Sequence, residues 1–238
     1  MPDIQVYEEH PQDYIEYQNS RPDYSKAIQI SLDLAERYLT KNHLAVIADF
    51  CGGTRSNSKK LAEKVGGLQK VTIVDTNSDF LKIAAAAGID ANQIETLNDD
   101  ILKVSLPKIY DLVLAIFAYH HVPDSHKKLF VEKAKSALKP GGHLILAEMF
   151  FPDKKTVINY YESLIQNIPD EERLPGLEEF LMQTANSSNF EFKVSKDFCE
   201  NQFLQEEFQK LEEVKIWPDD SRFDSDIGTF VQVYKMPL

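Results

Sequence analysis

The nine residues Ala48-Asp49-Phe50-Cys51-Gly52-Gly53-Thr54-Arg55-Ser56 join a short apolar run to an amphipathic one, so they stand where a strand gives way to a helix. Glycine in such a turn removes the Cβ that would hold a ligand off. The helix start beyond it offers backbone N–H groups to a polar or anionic group. An ordinary tight turn would use the same residues. Asp75 ends the next apolar run, Val71-Thr72-Ile73-Val74. In a parallel α/β sheet the carboxyl ends of adjacent strands lie side by side, so Asp75 should face the same crevice as the glycine turn. A carboxylate there accepts two hydrogen bonds, which suits a sugar diol; a helix cap or a solvated loop acid is the plainer use. Asn98-Asp99-Asp100-Ile101 repeats the pattern after a third apolar run.

Groups that take up a proton follow the fourth and fifth runs. Tyr119, His120 and His121 come after Tyr110-Asp111-Leu112-Val113-Leu114-Ala115, and Glu148 precedes Met149-Phe150-Phe151. Each is a candidate general base, and each also has a loop-stabilising or pairing use. His126 is expected to face solvent or cap its helix. His120, His121 and His126 form no zinc-like set with the cysteines, so no metal is expected from the sequence, with a His-carboxylate site assembled across the fold left open. Cys51 at a helix start would have a lowered thiol pKa, whereas as a small buried hydrophobe it would be inert; the second use is the commoner.

The elements that must carry these groups alternate regularly. Apolar runs at Leu44 to Ala48, Val71 to Val74, Ile94 to Leu97, Leu112 to Ile116 and His143 to Ala147 are separated by helical stretches. Those stretches are Asn57 to Val65, Asp79 to Ala87 (with Ser78 as a cap and Gly88 as a stop) and Ser125 to Leu138. Lys139-Pro140-Gly141-Gly142 ends the last of them. Residues 1 to about 23 read as a loosely held arm, followed by a helix from Tyr24 to Leu39. Asp153 to roughly Leu211 reads as mostly helical, and Val214 to Trp217 with Thr229 to Lys235 as a closing hairpin; Asn189 to Lys196 competes for the first of these strands. The fold expected is a doubly wound, Rossmann-like α/β sheet of seven strands, mostly parallel, with an antiparallel C-terminal strand. The chain divides into an arm and helix (1–40), a core (41–151), a helical insertion or cover (152–212) and the hairpin (213–238).

A length of 238 residues with 43% hydrophobic content suits one domain with a sizeable core, and the net charge of -12 argues against a sequence-blind hold on nucleic acid or anionic membrane. Two cysteines make no disulfide framework. The polar, acidic opening MPDIQVYEEHPQD has neither part of a secretion signal, and no run approaches the roughly 18 apolar residues of a membrane span. A cytoplasmic protein is expected, monomer or homodimer, with a small molecule as its partner.

From Val46 to Phe151 the ordered set resembles the class I S-adenosylmethionine-dependent methyltransferases. It comprises an acid before a glycine turn, an acid ending strand two, an acid after strand three, His120-His121-Val122 after strand four, and Leu138-Lys139-Pro140-Gly141-Gly142 before strand five. The resemblance implies S-adenosyl-L-methionine as cofactor. Asp49 with Cys51, Gly52 and Gly53 would hold its amino-acid end and Asp75 its ribose hydroxyls. Asp100 with Ile101 beside it, or equally Asp99, would hold the adenine amino group. Ala115 to Phe117 would line the floor beneath the sulfonium, and Asp111 would belong to the framework. The family turn reads acid-x-Gly-x-Gly-x-Gly, whereas Cys51 and Arg55 stand here at the first and third glycine positions, so either the turn is right-handed at Arg55 or the pocket is reshaped.

Methyl transfer to an O, N or C acceptor needs alignment and exclusion of water, with a base only where the acceptor carries a proton; the candidates are His120, His121 and Glu148. Tyr14, Tyr17, Tyr24, Tyr119 and Phe150 are the candidate cover for a planar organic substrate, while Tyr160 and Tyr161 are expected to pack as core. A dehydrogenase would carry G-x-G-x-x-G after strand one, which is absent. A catalytically degenerate member that binds cofactor or a partner without turnover is the alternative.

Overall fold

A computed structural model of the chain describes residues 11–39, 44–54, 56–65, 68–86, 93–187, 191–219 and 222–238. Its strands are β1 (Ala45–Phe50), β2 (Leu68–Asp75), β3 (Ile94–Asn98), β4 (Tyr110–Ile116), β5 (Leu138–Phe150), β6 (Gln209–Trp217) and β7 (Gly228–Lys235). Its helices are α1 (Pro11–Ser20), α2 (Pro22–Tyr38), α3 (Ser56–Val65), α4 (Ser78–Ala86), α5 (Lys127–Ala137), α6 (Lys154–Asn167), α7 (Leu177–Asn186) and α8 (Lys196–Gln205). Among the described residues the strands form one seven-stranded sheet in the order β3-β2-β1-β4-β5-β7-β6. The first five pair in parallel, and β7 runs antiparallel to both β5 and β6.

Successive side chains of a strand point to opposite faces, and both faces here are apolar. Ile47, Leu112, Leu114, Ile145 and Ala147 pack with Ala27, Ile28 and Leu32 of α2, Leu61 of α3, and Tyr160, Tyr161 and Leu181 of α6 and α7. Val46, Ala48, Val113, Leu144, Leu146 and Phe150 pack on the other side with Phe130 and Val131 of α5 and Phe203 of α8. Covering both faces requires helices on both, which is what the alternating pattern encodes. No helix among the described residues is long and apolar enough to cross a membrane.

Several boundaries depart from the sequence expectation. Residues 11–20 of the expected loose arm are helical, and α2 begins at Pro22, whose ring is preset for the first helical turn. Asn77, not Ser78, caps α4: its Oδ1 accepts the N–H groups of Asp79 (2.9 Å) and Phe80 (3.2 Å). The helical cover ends at Gln205, and β6 starts at Gln209, five residues before the expected strand. Its alternation is weak because only Ile216 of that edge strand is buried. The competing segment makes no ladder at 191–195. It crosses the strand ends through two isolated bonds, Phe192 N–H to His120 O (2.7 Å) and Phe151 N–H to Val194 O (2.9 Å).

Candidate functional site

Strand order reverses between β1 and β4, and in such a sheet a crevice opens beyond the carboxyl ends of the strands at that point. Asp49 lies there, 2% exposed, in register with Ile73 of β2 and Leu114 of β4. Cys51 and Gly53 both take a left-handed φ of 54°. Cys51, at the position of the first glycine in the motif it resembles, thus has a conformation that favours glycine. A Cβ on Gly52 would lie 2.6 Å from Asp49 Cγ and 2.9 Å from Ile73 Cγ2, so close packing of the Asp49 side chain requires glycine at that point. Arg55 lies outside the described residues.

Asp75 closes the turn from β2. Its Oδ2 accepts the Gly53 N–H at 2.9 Å and its Oδ1 the Asn77 N–H at 2.8 Å, leaving each oxygen a further acceptor site. Burial raises its pKa against those two bonds. Burial, with Asp75 and Asp49 nearby, pushes the Cys51 thiol up as well, the opposite of a reactive thiol. Asp100 accepts the Leu102 N–H at Oδ1 (2.9 Å) with Lys103 Nζ 3.3 Å from Oδ2, while exposed Asp99 accepts the Asp100 N–H (2.8 Å); both acids cap their own loop. Ile101 is buried beside them, and Ala115 is buried in the α5 face of the core. Phe117, at φ 52°, donates its N–H to Ala147 O (2.8 Å) and stacks its ring on Tyr24 with centroids 4.9 Å apart. Burial pushes the Tyr24 hydroxyl up to about 12, against the pull of Arg21. Asp111 holds the framework: it accepts the Val46 N–H (2.9 Å) and Lys139 Nζ (2.8 Å), tying β1 and β4 to the turn before the parallel part of β5.

A second group of polar residues gathers where the chain leaves β4. Glu148, 1% exposed, accepts three N–H groups: His120 backbone (3.0 Å), His120 Nδ1 (2.7 Å) and Met149 backbone (2.7 Å). Burial would raise its carboxyl, yet His120 and the two backbone N–H groups hold it below the ordinary carboxylate range. Nε2 of His120 faces Glu191 Oε2 at 3.5 Å, and the ring of His121 lies 4.0 Å from that of His120. Lys193 pairs with Glu191, and its ammonium stands 5.4 Å from the Tyr161 ring centroid. Burial opposes ionisation of Glu191, but Lys193 and the two histidines pull its carboxyl down to about 2. His126 is exposed, its Nδ1 3.0 Å from Ser125 Oγ.

Among the described side chains of the expected substrate cover, only Tyr24 reaches this region. Tyr17 donates to Pro175 O (2.8 Å) and packs on Phe180, latching α1 onto the segment before α7. Tyr119 packs on Phe130 and Phe203, and Phe150 on Phe230; both are fully buried on the α5 and α8 face, turned from the crevice. The pleat explains this for Phe150, since it shares a face with Leu144 and Leu146. The Tyr14 side chain lies outside the described residues. Tyr160 and Tyr161 are buried, as expected of core. Three charged residues were not anticipated: Arg21, Glu191 and Lys193. Arg21 is buried against the rings of Tyr24, Phe117 and Tyr161, with its charge met by Asp23 at 2.7 Å. For the other two the signal was the alternation of charges with Phe192 and Val194.

Residues 47–142 match the model of a family described as "Methyltransferase domain". A ubiquinone/menaquinone biosynthesis C-methyltransferase, UbiE, of Pseudomonas putida is 29% identical over 121 residues, covering 49% of this chain and 46% of the relative. Its counterpart in Pseudomonas syringae pv. syringae is 27% identical over 121 residues. The chain thus spans about half the length of these curated relatives (46%). Among solved structures, the N-methyltransferase NodS of Bradyrhizobium japonicum, in complex with S-adenosyl-L-homocysteine, superposes with a TM-score of 0.61 at 12% identity, covering 92% of this chain and 89% of that one. A Burkholderia thailandensis 1,6-didemethyltoxoflavin N1-methyltransferase gives 0.62 at 12% identity over 99% and 85%. The [4+2]-cyclase SpnF gives 0.61 at 12% identity over 89% and 82%. At such identities the likeness is one of fold.

Proposed function

We propose that the chain is a class I S-adenosylmethionine-dependent methyltransferase and that it transfers a methyl group from S-adenosyl-L-methionine to an oxygen, nitrogen or carbon atom of a small, planar organic molecule. The observation that carries this is the turn after β1. Two left-handed residues at the family's glycine spacing stand between buried Asp49 and an Asp75 whose oxygens each keep an acceptor site. These residues fit the group: Asp49 with Cys51, Gly52 and Gly53 would hold its amino-acid end, Asp75 its ribose, and Asp99 or Asp100 with Ile101 its adenine. When bound, the cofactor supplies an activated methyl group that leaves by in-line displacement. Phe117, held by its backbone bond to Ala147 and its stack on Tyr24, gives that group a dry floor.

The proton of a hydroxyl or amine acceptor goes to His120 Nε2. Glu148 accepts three N–H groups, so it is ionised and acceptor-only; it sets the tautomer of His120 by taking Nδ1–H, a positioning role. His121 lies against the same ring and helps fix its pose. The planar acceptor rests on the stacked rings of Tyr24 and Phe117 and on the likeness to a ubiquinone/menaquinone biosynthesis C-methyltransferase and to a 1,6-didemethyltoxoflavin N1-methyltransferase that binds 1,6-didemethyltoxoflavin. A soluble, cytoplasmic setting belongs to the same proposal.

Calorimetry with S-adenosylhomocysteine is the test. Binding in the micromolar range, weakened at least tenfold by Asp75→Ala, is expected; no heat at high micromolar ligand would overturn the assignment. A chain that binds but turns over none of a panel of quinols, phenols and heteroaromatic amines would be the non-catalytic member of the family.

A further inference from the structure

We propose that His120, His121 and Glu191 form a binding site for a first-row divalent ion of the zinc, cobalt or iron(II) kind. One nitrogen from each histidine and an oxygen of Glu191 lie within 4.8 Å of one another, and the His120 Nε2 to Glu191 Oε2 separation is already 3.5 Å. A tetrahedral ion with ligand bonds of about 2.0–2.2 Å holds its ligands roughly 3.4 Å apart, so the His120–Glu191 edge already has that length and the third ligand atom lies within 4.8 Å of both.

The surroundings of His120 supply a second, independent observation. A histidine ligand typically donates its other ring N–H to a carboxylate, which fixes the tautomer and raises ligand basicity. Glu148, buried and acceptor-only, does this at 2.7 Å. With Nδ1 turned to Glu148, Nε2 is the ring nitrogen left for an ion, and it lies 3.5 Å from Glu191 Oε2. Two nitrogens and one carboxylate oxygen with a position left open match a borderline ion that keeps water or substrate as its fourth ligand, and not the all-oxygen shells of magnesium or calcium.

Lys193 meets the same carboxylate and is buried with it. It acts as the resident counter-charge of Glu191 and competes with the ion. Removing its charge should therefore tighten metal binding, which no purely structural role of the cluster would produce. An ion on Nε2 also takes away the proton acceptor of the proposed transfer, so metal binding and base catalysis exclude each other at this nitrogen.

The experiment is titration of the untagged full chain with Co2+, followed by visible absorption, and with Zn2+ by calorimetry, using Mg2+ as control. Expected are one site per chain, displacement of Co2+ by Zn2+, and no competition from Mg2+. Glu191→Gln and His121→Asn should each weaken binding at least tenfold, with unchanged circular dichroism and unchanged S-adenosylhomocysteine affinity. Lys193→Met should tighten it at least threefold. Absence of saturable binding would overturn the proposal, as would affinity indifferent to Glu191→Gln and His121→Asn. Because the readout is metal and not turnover, it fails or stands apart from the methyl-transfer assignment.

Discussion

Cys51 stands at a φ of 54°, where a side chain costs about 1–2 kcal/mol relative to a right-handed residue. Cys51→Gly relieves that strain but frees the unfolded chain, so urea unfolding should place the variant within about 1 kcal/mol of the parent. The neighbouring glycines differ in kind. A Cβ on Gly53 meets nothing closer than Phe80 at 3.8 Å, so Gly53→Ala should lose only the conformational cost, about 1–2 kcal/mol. On Gly52 it would strike Asp49 at 2.6 Å, so Gly52→Ala should cost S-adenosylhomocysteine affinity at least tenfold. Fully buried Lys127, bonded to Tyr119 O at 2.8 Å, has its pKa lowered by burial from 10.5 to about 8. Between those values the unfolded chain holds a proton the folded one has lost, so the lysine's contribution to stability rises with pH in that window. Below it, the buried charge is a constant penalty. The stability of Lys127→Met relative to the parent should therefore be greatest near neutrality and shrink as pH rises from about 8 to 10.5, by urea titration at several pH values. At this scale the acids were legible because an acid after an apolar run sits at a strand end wherever the sheet is parallel. The fate of Cys51 was not, because residue type alone does not reveal φ.

Elements are joined at Asp23 of α2, which accepts Arg21 Nη2 (2.7 Å) and Nε (3.1 Å), the Tyr160 hydroxyl of α6 (2.8 Å) and the Thr229 hydroxyl of β7 (3.1 Å). Removing one member of a buried ion pair strands the other charge, so Asp23→Ala should cost about 3–5 kcal/mol in urea unfolding. The double replacement Asp23→Leu with Arg21→Met should recover most of that. An equal loss in both would mean the hydroxyl bonds, not the charges, hold these elements together. The five parallel strands and their helices were legible because each is a local pattern, a short apolar run for a strand covered on both faces and a period of nearly four for a helix. The meeting of 191–195 with β4 and β5 was not: it depends on two long-range backbone bonds, and no local period records them. The burial of Phe150 on the α5 and α8 face was hidden for a related reason, as the face a strand residue takes follows from register, which the sequence shows only through its neighbours; Tyr119 stands beyond β4 in a short 3-10 turn, where no strand period applies.

For the molecule as a whole, ligand binding and stability are one equilibrium. S-adenosylhomocysteine at a hundred times its dissociation constant should add about 2.7 kcal/mol, which for a chain of this size raises the melting temperature by about 5–10 °C; Asp75→Ala at the same ligand concentration should cut the rise at least by about half, and calorimetric scans would show either. Doubly wound topology was legible from the alternation of elements, whereas the place of the last strand was not. β7 follows β6 in the chain yet lies between β5 and β6, paired to both. Its residues enter the middle of the sheet. During synthesis, then, β5 emerges with its backbone from His143 to Phe150 unpaired along one side, next to the very carboxylate that orients His120, and stays so until residues 228–235 have left the ribosome. A nascent chain of this fold passes through a stage with an adhesive open edge, during which strands from other chains compete with its own for that place.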